Sequence, residues 1–246
     1  MSGGAASVIV LASAGSAGLV FERLLEELEA TLVVMPDADD VPTMAETVVR
    51  DIAALPRPRV LVGASLGAMV ALECARVGAA DGLVLVAAGF GITVGESALA
   101  WVVANPPDLL RKMARIGLAD PDDDELVATR ERDFATRGQP VLLRHLRALA
   151  AYRPEPLPTP PPTLVLWGEH DRGVRLADHV ELAKRCNGVL APIAGAAHAP
   201  FLERPGEVAG WVRWLASQVA HPGPETASGR WPTGPANPAK SGHQID

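Results

Sequence analysis

The most constraining feature of this sequence is a strand-like run that enters a Gly-x-Ser-x-Gly motif and leaves it as a helix. Residues 60–62 are apolar, Gly63-Ala64-Ser65-Leu66-Gly67 follows, and an Ala- and Leu-rich segment comes next. A sharp strand-to-helix turn needs glycines here because a Cβ would hold the two elements apart. Such a turn exposes a serine hydroxyl above a sheet, so Ser65 is the candidate nucleophile. The pentapeptide also arises by chance in a chain rich in glycine and alanine, so the assignment depends on partner residues.

Length and charge restrict the class of protein. A chain of 246 residues with 48% hydrophobic residues suits one α/β domain, with or without an insertion. The net charge is -7 and no basic cluster is present, which argues against nucleic-acid and anionic-membrane partners. The two cysteines, Cys74 and Cys186, lack metal-ligand spacing, so we expect buried reduced thiols and no metal. We therefore expect a monomer or homodimer that acts on a small molecule.

The amino-terminal segment imitates a secretory signal, because Ala12-Ser13-Ala14 follows a short apolar run. No Lys or Arg precedes that run, and the run is too short for the apolar region of a signal peptide. No apolar stretch is long enough to span a bilayer. These features predict a cytoplasmic protein.

Apolar strand-like runs alternate with amphipathic helical patterns along most of the chain. The runs cover residues 7–12, 31–35, 60–62, 82–87, 163–167 and 189–193. A Thr43-Met44-Ala45-Glu46 capping box predicts the start of the second helix. This alternation predicts an α/β fold with a mostly parallel, doubly wound, six-stranded sheet covered on both faces.

The alternation stops between residues 91 and 162, where no strand-like run occurs. Helical patterns instead cover residues 96–104, 108–118, 122–137 and 140–152, and a proline-rich stretch over 154–162 returns to the sheet. We expect a core of residues 1–90 and 163–220 and an all-helical insertion over residues 91–162. Residues 221–246 are rich in Pro, Gly and Ser, which predicts a disordered tail.

A serine nucleophile needs a general base, and the base needs an acid to orient it. Of the six histidines, His198 lies just beyond the last strand-like run and before the final helix. Asp171 ends the segment after the fifth run, which is where the acid comes in this order of residues. Glu169 in the same loop is the alternative acid, and Asp171 could instead cap the next helix.

Three motifs in this order resemble the α/β-hydrolase superfamily, in its lidded esterase and C–C hydrolase-like branch, over about residues 7–220. The motifs are Gly63-Ala64-Ser65-Leu66-Gly67, Trp167-Gly168-Glu169-His170-Asp171 and Gly195-Ala196-Ala197-His198-Ala199-Pro200. The resemblance implies a Ser65–His198–Asp171 triad and no cofactor. It also implies an α/β-hydrolase fold that lacks the family's first two strands, with the helical insertion as a lid.

The oxyanion loop, which is the segment of residues 12–18 after the first strand, differs in sequence from that of the family. One donor should be the backbone N–H of Leu66, and the second should come from the loop after the first strand. Relatives often carry His-Gly there, whereas this chain has Ala12-Ser13. Alignment on the flanking elements favours the N–H of Ala14 as the second donor, with Ser13 next. Losing one such donor typically costs about 100–1,000-fold in rate.

Four further residues are candidates for the substrate pocket: Ser13, Phe90, Trp101 and Phe134. Packing of the insertion onto itself and onto the core is the alternative role for Trp101 and Phe134, and the pattern favours it for most apolar residues of the insertion. Three functions fit the pattern. The first is hydrolysis of a small carboxylic ester, thioester or lactone. The alternatives are a C–C bond hydrolase or cofactor-free lyase that uses the same triad, and a non-catalytic ligand-binding protein.

Overall fold

The computed structural model describes residues 5–222. Within that range six strands form one sheet in the order β2-β1-β3-β4-β5-β6, and every neighbouring pair is parallel. The strands are β1 (Ser7–Leu11), β2 (Ala30–Val33), β3 (Arg59–Ala64), β4 (Gly82–Val86), β5 (Thr163–Gly168) and β6 (Val189–Ile193). The predicted parallel, doubly wound sheet is confirmed.

Helices cover both faces of the sheet. In chain order they are α1 (Glu22–Glu27), α2 (Val41–Asp51), α3 (Leu66–Arg76), α4 (Glu96–Ala104), α5 (Leu109–Ile116), α6 (Asp124–Ala151), α7 (Leu176–Arg185), α8 (Pro200–Glu203) and α9 (Pro205–Ala220). Side chains alternate along β3: Leu61 packs with α2 and α3, whereas Val60 and Val62 pack with α1 and α9. Two apolar layers therefore enclose the sheet.

The second helix begins earlier than the capping box at Thr43 predicts. Its N-cap is Asp40, whose Oδ1 accepts the Thr43 N–H at 2.8 Å and whose Oδ2 accepts the Thr43 hydroxyl at 3.0 Å. Pro42 follows at the start of the helix, where a missing N–H costs nothing because no helical partner exists there. The capping-box prediction was wrong because Asp40 supplies a better-placed oxygen.

The insertion between β4 and β5 consists of α4, α5 and α6. Helix α6 runs over 28 residues but bends at Gly138, whose φ of 81° and ψ of 167° are not helical. Pro140 follows the bend. The two helices predicted over residues 122–137 and 140–152 are thus the two arms of α6.

The two cysteines lie in the core, as the sequence predicted. Cys74 and Cys186 are buried and free, and burial raises their pKa to about 12 and about 11. No helix among residues 5–222 is both long and apolar enough to cross a bilayer. The tail predicted over 221–246 lies, beyond residue 222, outside the described residues.

Candidate active site

Ser65 lies between β3 and α3 in a strained backbone conformation. Its φ of 52° and ψ of -109° are rare for a residue with a side chain and cost about 1–3 kcal/mol. A Cβ on Gly63 would lie 2.4 Å from the carbonyl oxygen of Gly67, and a Cβ on Gly67 would lie 2.2 Å from that of Leu11. Because both distances are far below van der Waals contact, the two motif glycines allow the turn to close.

His198 and Asp171 lie together beyond the carboxyl ends of β6 and β5. The distance from Nδ1 of His198 to Oδ2 of Asp171 is 2.9 Å. The Asp171 side chain has no exposed surface, whereas that of His198 is 25% exposed. An acid that accepts at Nδ1 holds the proton on that nitrogen, so Nε2 is free to accept a proton from a nucleophile.

The second oxygen of Asp171 stabilises its own loop. Oδ1 accepts the N–H groups of Gly173 at 2.7 Å and Val174 at 3.0 Å. Burial by itself would raise the pKa of the carboxyl, but these bonds and the one from His198 hold that pKa below its usual value. Asp171 therefore stays ionised at neutral pH.

The alternatives for the acid do not fit this geometry. Glu169 is exposed to solvent. Helix α7 begins at Leu176 with Arg175 as its N-cap, so Asp171 does not cap it. Asp171 is thus the carboxylate that the fold pairs with His198.

Backbone contact between β5 and the histidine loop, which is the segment of residues 194–199 between β6 and α8, brings this pair together. The His170 N–H donates to the carbonyl of Ala196 at 2.9 Å. Gly168 at the end of β5 lies directly against the carbonyl of Ala197, the residue before His198. The Gly in the predicted Trp167–Asp171 motif is thus needed for a close approach of two chain segments.

The Ser65 hydroxyl makes no hydrogen bond to any residue between 5 and 222, and its side chain does not cap α3. The structure therefore joins two members of the predicted triad and leaves the third unbonded, although all three lie beyond strands of one parallel sheet. In free enzymes such bonds are often long and tighten only when substrate binds.

Both predicted oxyanion donors are unpaired within the described residues. The N–H of Leu66 is the first of α3, where the helix dipole adds positive potential, and neither it nor the N–H of Ala14 has an acceptor among residues 5–222. The carbonyls of Leu11 and Ala12 flank Gly67, so the loop that contains Ala14 leaves β1 next to the turn at Ser65.

Sequence reasoning missed three buried or half-buried side chains that bond the loops around the site. Glu203 accepts the N–H groups of Ala197 at 2.8 Å and Ala119 at 2.6 Å, which joins the histidine loop to the insertion. Asp133 and His145 of α6 bond the loop after β1. Their polar side chains at buried positions of an amphipathic helix were the available signal.

The predicted pocket residues lie in different surroundings. Phe90 lines a cavity of about 460 Å³ beside Gly173 and Val174, with the Arg185 guanidinium 5.2 Å from its ring. Ser13 is half-buried in the loop after β1. Trp101 and Phe134 pack inside the insertion with the apolar residues Val102, Leu109 and Leu142. No group of three or more His, Cys, Asp or Glu side chains between residues 5 and 222 is arranged to hold a metal ion.

Comparison with known proteins assigns the fold to a family. A model of the alpha/beta hydrolase family matches residues 8–211, which is most of the chain. The chain belongs to the alpha/beta hydrolase family. This confirms both the resemblance noted in the sequence and the expectation of an α/β-hydrolase-type enzyme, in a variant of the fold with six strands. No curated protein sequence matches this hydrolase.

Several solved structures share the fold of this alpha/beta hydrolase at low sequence identity. A thermophilic esterase is 23% identical, with a TM-score of 0.76 over 87% of this chain and 90% of its own. The enol-lactonase from Burkholderia xenovorans LB400 is 16% identical, with a TM-score of 0.73 over 88% and 94%. An esterase from Exiguobacterium antarcticum is 17% identical, with a TM-score of 0.73 over 88% and 92%.

Proposed function

We propose that this protein is a serine hydrolase that cleaves a small carboxylic ester, thioester or lactone through an acyl-enzyme. The observation that carries the proposal is the 2.9 Å bond between His198 and the buried Asp171, at the same sheet edge as the strained Ser65. Esterases and an enol-lactonase among the structural relatives have the same fold.

In the first half of the reaction, the Ser65 Oγ attacks the carbonyl carbon of the substrate. Nε2 of His198 takes the hydroxyl proton, and Asp171 stabilises the imidazolium that results. The carbonyl oxygen becomes an oxyanion, which the N–H groups of Leu66 and Ala14 stabilise. When the intermediate collapses, the bond from the carbonyl carbon to the alcohol oxygen or thiol sulfur breaks, that atom takes the proton from His198, and the acyl group stays on Ser65. An ester or thioester then releases its alcohol or thiol, whereas the alcohol of a lactone stays attached to the acyl group.

In the second half, a water molecule replaces the leaving group. His198 takes a proton from this water as its oxygen attacks the acyl carbon. The second tetrahedral intermediate collapses, the proton returns to Ser65 through His198, and the carboxylic acid leaves. Every step uses side chains and backbone groups of this chain.

The test compares the protein with a Ser65→Ala variant and a Ser97→Ala control. Ser97 is an exposed serine of α4, so its loss removes a hydroxyl without touching the sheet edge. We expect hydrolysis of short p-nitrophenyl esters by the unchanged chain and by Ser97→Ala. Ser65→Ala should fold with the same circular dichroism spectrum and lose that activity.

Labelling with a fluorophosphonate identifies the nucleophile directly. The unchanged chain should gain the mass of one phosphonyl group, located at Ser65 by peptide mapping, and Ser65→Ala should gain none. A folded chain that hydrolyses no ester and takes up no label would contradict the acyl-enzyme. That result would favour the C–C bond hydrolase or lyase alternative, in which no acyl-enzyme forms.

The proposed function also assigns roles to the pocket residues and to the insertion. Ser13 and Phe90 are proposed to contact the substrate, and Trp101 and Phe134 to shape the insertion, which acts as the lid. We propose a monomer or homodimer in the cytoplasm with a small-molecule substrate as its partner. Gel filtration with light scattering measures the oligomeric state.

A further inference from the structure

The loop after β1 contains a four-residue turn that sets the direction of one oxyanion donor. The Ser16 N–H donates to the carbonyl of Ser13 at 3.2 Å, which closes a turn over Ser13, Ala14, Gly15 and Ser16. In a trans peptide the C=O and the following N–H point in opposite directions. Because the turn engages the Ser13 carbonyl, the N–H of Ala14 points away from the turn.

Gly15 occupies the third position of this turn with a φ of 69°. A positive φ at that position is typical of a type II turn, which differs from type I by a flip of the central peptide. In this loop the central peptide joins Ala14 to Gly15. A bond to the Gly15 N–H therefore holds this peptide in its type II orientation and fixes the position of the turn that contains the Ala14 N–H.

His145 of α6 holds that N–H. Its Nδ1 accepts the Gly15 N–H at 3.0 Å, and its Nε2 lies 3.0 Å from the carbonyl oxygen of Pro36. Nε2 must then carry the proton and donate to Pro36, so the ring is neutral. Burial lowers the pKa of His145, with Arg137, Asp37 and Arg144 as its charged neighbours, which keeps Nδ1 an acceptor at neutral pH.

Asp133 on the other arm of α6 fixes the second half of the loop. Its Oδ1 accepts the N–H groups of Ala17 at 3.0 Å and Leu19 at 2.7 Å. The bend at Gly138 separates Asp133 from His145, so the two arms of α6 bond the two halves of the loop. A Cβ on Gly15 would lie 2.9 Å from the Leu142 side chain and 3.3 Å from its Cα, so the turn also packs on α6 itself.

We propose that helix α6 of the insertion sets the oxyanion hole, with His145 as the positioning residue that holds the Ala14–Gly15 peptide and Asp133 as the residue that holds the rest of the loop. This proposal rests on the proposed hydrolase function for its kinetic consequence. It assigns to α6 a part in the rate of the chemical step, in addition to any part in covering the substrate. Neither His145 nor Asp133 contacts the reacting atoms.

Two conservative variants of His145 separate this role from simple packing. In His145→Asn, the amide oxygen takes the place of Nδ1 and can accept the Gly15 N–H, while the bond to Pro36 is lost. In His145→Gln, the longer amide reaches the position of Nε2 and can donate to Pro36, while the bond to Gly15 is lost. Each variant loses one hydrogen bond, so their urea midpoints should be similar.

The kinetic expectation differs between the two variants. His145→Asn should keep kcat close to that of the unchanged chain on a p-nitrophenyl ester. His145→Gln should lower kcat by about 10–100-fold with little change in KM, somewhat less than the full loss of a donor. Equal kcat values for the two variants would overturn the positioning role.

Amide exchange at Gly15, followed by NMR, tests the bond without any substrate. Exchange should be at least about tenfold faster in His145→Gln than in His145→Asn, because an amide without its acceptor opens more readily. Equal exchange rates would overturn the proposal even if the chain hydrolyses esters. A chain that hydrolyses no ester would contradict the proposed function, and the exchange rates would still decide whether His145 holds the loop.

Discussion

The hydroxyl of Tyr152 donates a 2.6 Å hydrogen bond to Oε1 of Glu73. This buried bond joins the end of the insertion to α3, the helix that begins at the candidate nucleophile. The other oxygen of Glu73 accepts two bonds from the Arg76 guanidinium, at 2.8 and 2.6 Å. The insertion is thus attached to the core at a point that bonds neither the oxyanion loop nor the histidine loop.

Replacing Tyr152 with Phe should therefore affect stability and leave kcat almost unchanged. The variant loses a bond to a charged acceptor, so the free energy of unfolding should fall by about 1–3 kcal/mol. Urea denaturation measures the loss, and ester hydrolysis measures kcat. A large fall in kcat would mean that the contact of Tyr152 with α3 also governs the reaction, contrary to a role confined to His145 and Asp133.

Substitutions at Asp171 and at the neighbouring Glu169 should differ greatly in their effect on kcat. Asp171→Asn should lower kcat by about 10⁴-fold, because an amide in this position favours the wrong tautomer of the base. Glu169→Gln changes an exposed side chain of the same loop and should leave kcat nearly unchanged. Steady-state kinetics of the two variants decides which carboxylate serves His198. The reverse order of effects would make Glu169 the acid.

Gly168 should not tolerate a methyl group. An added Cβ would lie 2.0 Å from the Ala197 carbonyl, so the strand end and the histidine loop must separate. We expect Gly168→Ala to cost about 1–3 kcal/mol of stability and to abolish most activity. In Gly210→Ala the new Cβ meets nothing within 4 Å inside α9, and helix propensity should add about 0.5–1 kcal/mol. Thermal and urea denaturation compare the two.

Asp133 makes stability depend on pH in a defined direction. Burial raises the pKa of its carboxyl above the usual 3.8, although Ser16 and the backbone N–H groups of the loop oppose this. Between 3.8 and the raised value the folded chain binds more protons than the unfolded chain, so this group's contribution to stability falls as pH rises through that window.

The Asp133→Asn variant cannot titrate at this position and should lack that fall. Its stability relative to the unchanged chain should therefore improve as pH rises from about 4 to neutrality, and level off above the raised pKa. Urea midpoints measured at several pH values for both chains give the difference, in which the other titrating groups cancel. A difference that is constant with pH would contradict the burial argument.

The sequence predicted the features of this fold that local pattern encodes. The glycines around Ser65 predict a sharp turn, and the apolar runs predict a parallel sheet. The positions of Asp171 and His198 just after two of these runs place both residues at one edge of the sheet. Contacts between distant segments leave no such pattern. His145 and Gly15 are 130 residues apart, and Asp133 and Ala17 are 116 residues apart, so neither bond could be read from spacing.

The predicted start of α2 was wrong for a different physical reason. Thr43 and Asp40 both belong to the residue types that cap helices, and the capping box favoured Thr43. In the structure Thr43 lies inside the first turn, because Asp40 accepts both its N–H and its hydroxyl, and Pro42 fits that turn without an N–H to lose. The Asp40 oxygens reach the free N–H of the first turn, which decides between these two caps.

The bonds from α6 to the loop at Gly15 and Leu19 bear on how enzymes of this design diversify. A protein whose cover is detached from its catalytic loops can exchange that cover for another and alter selectivity alone. Under the role that we propose for α6, a foreign insertion would change selectivity and turnover together, since it would also remove the supports supplied by Asp133 and His145. Successful grafts into this chain should therefore be those that carry an acceptor for each half of the loop.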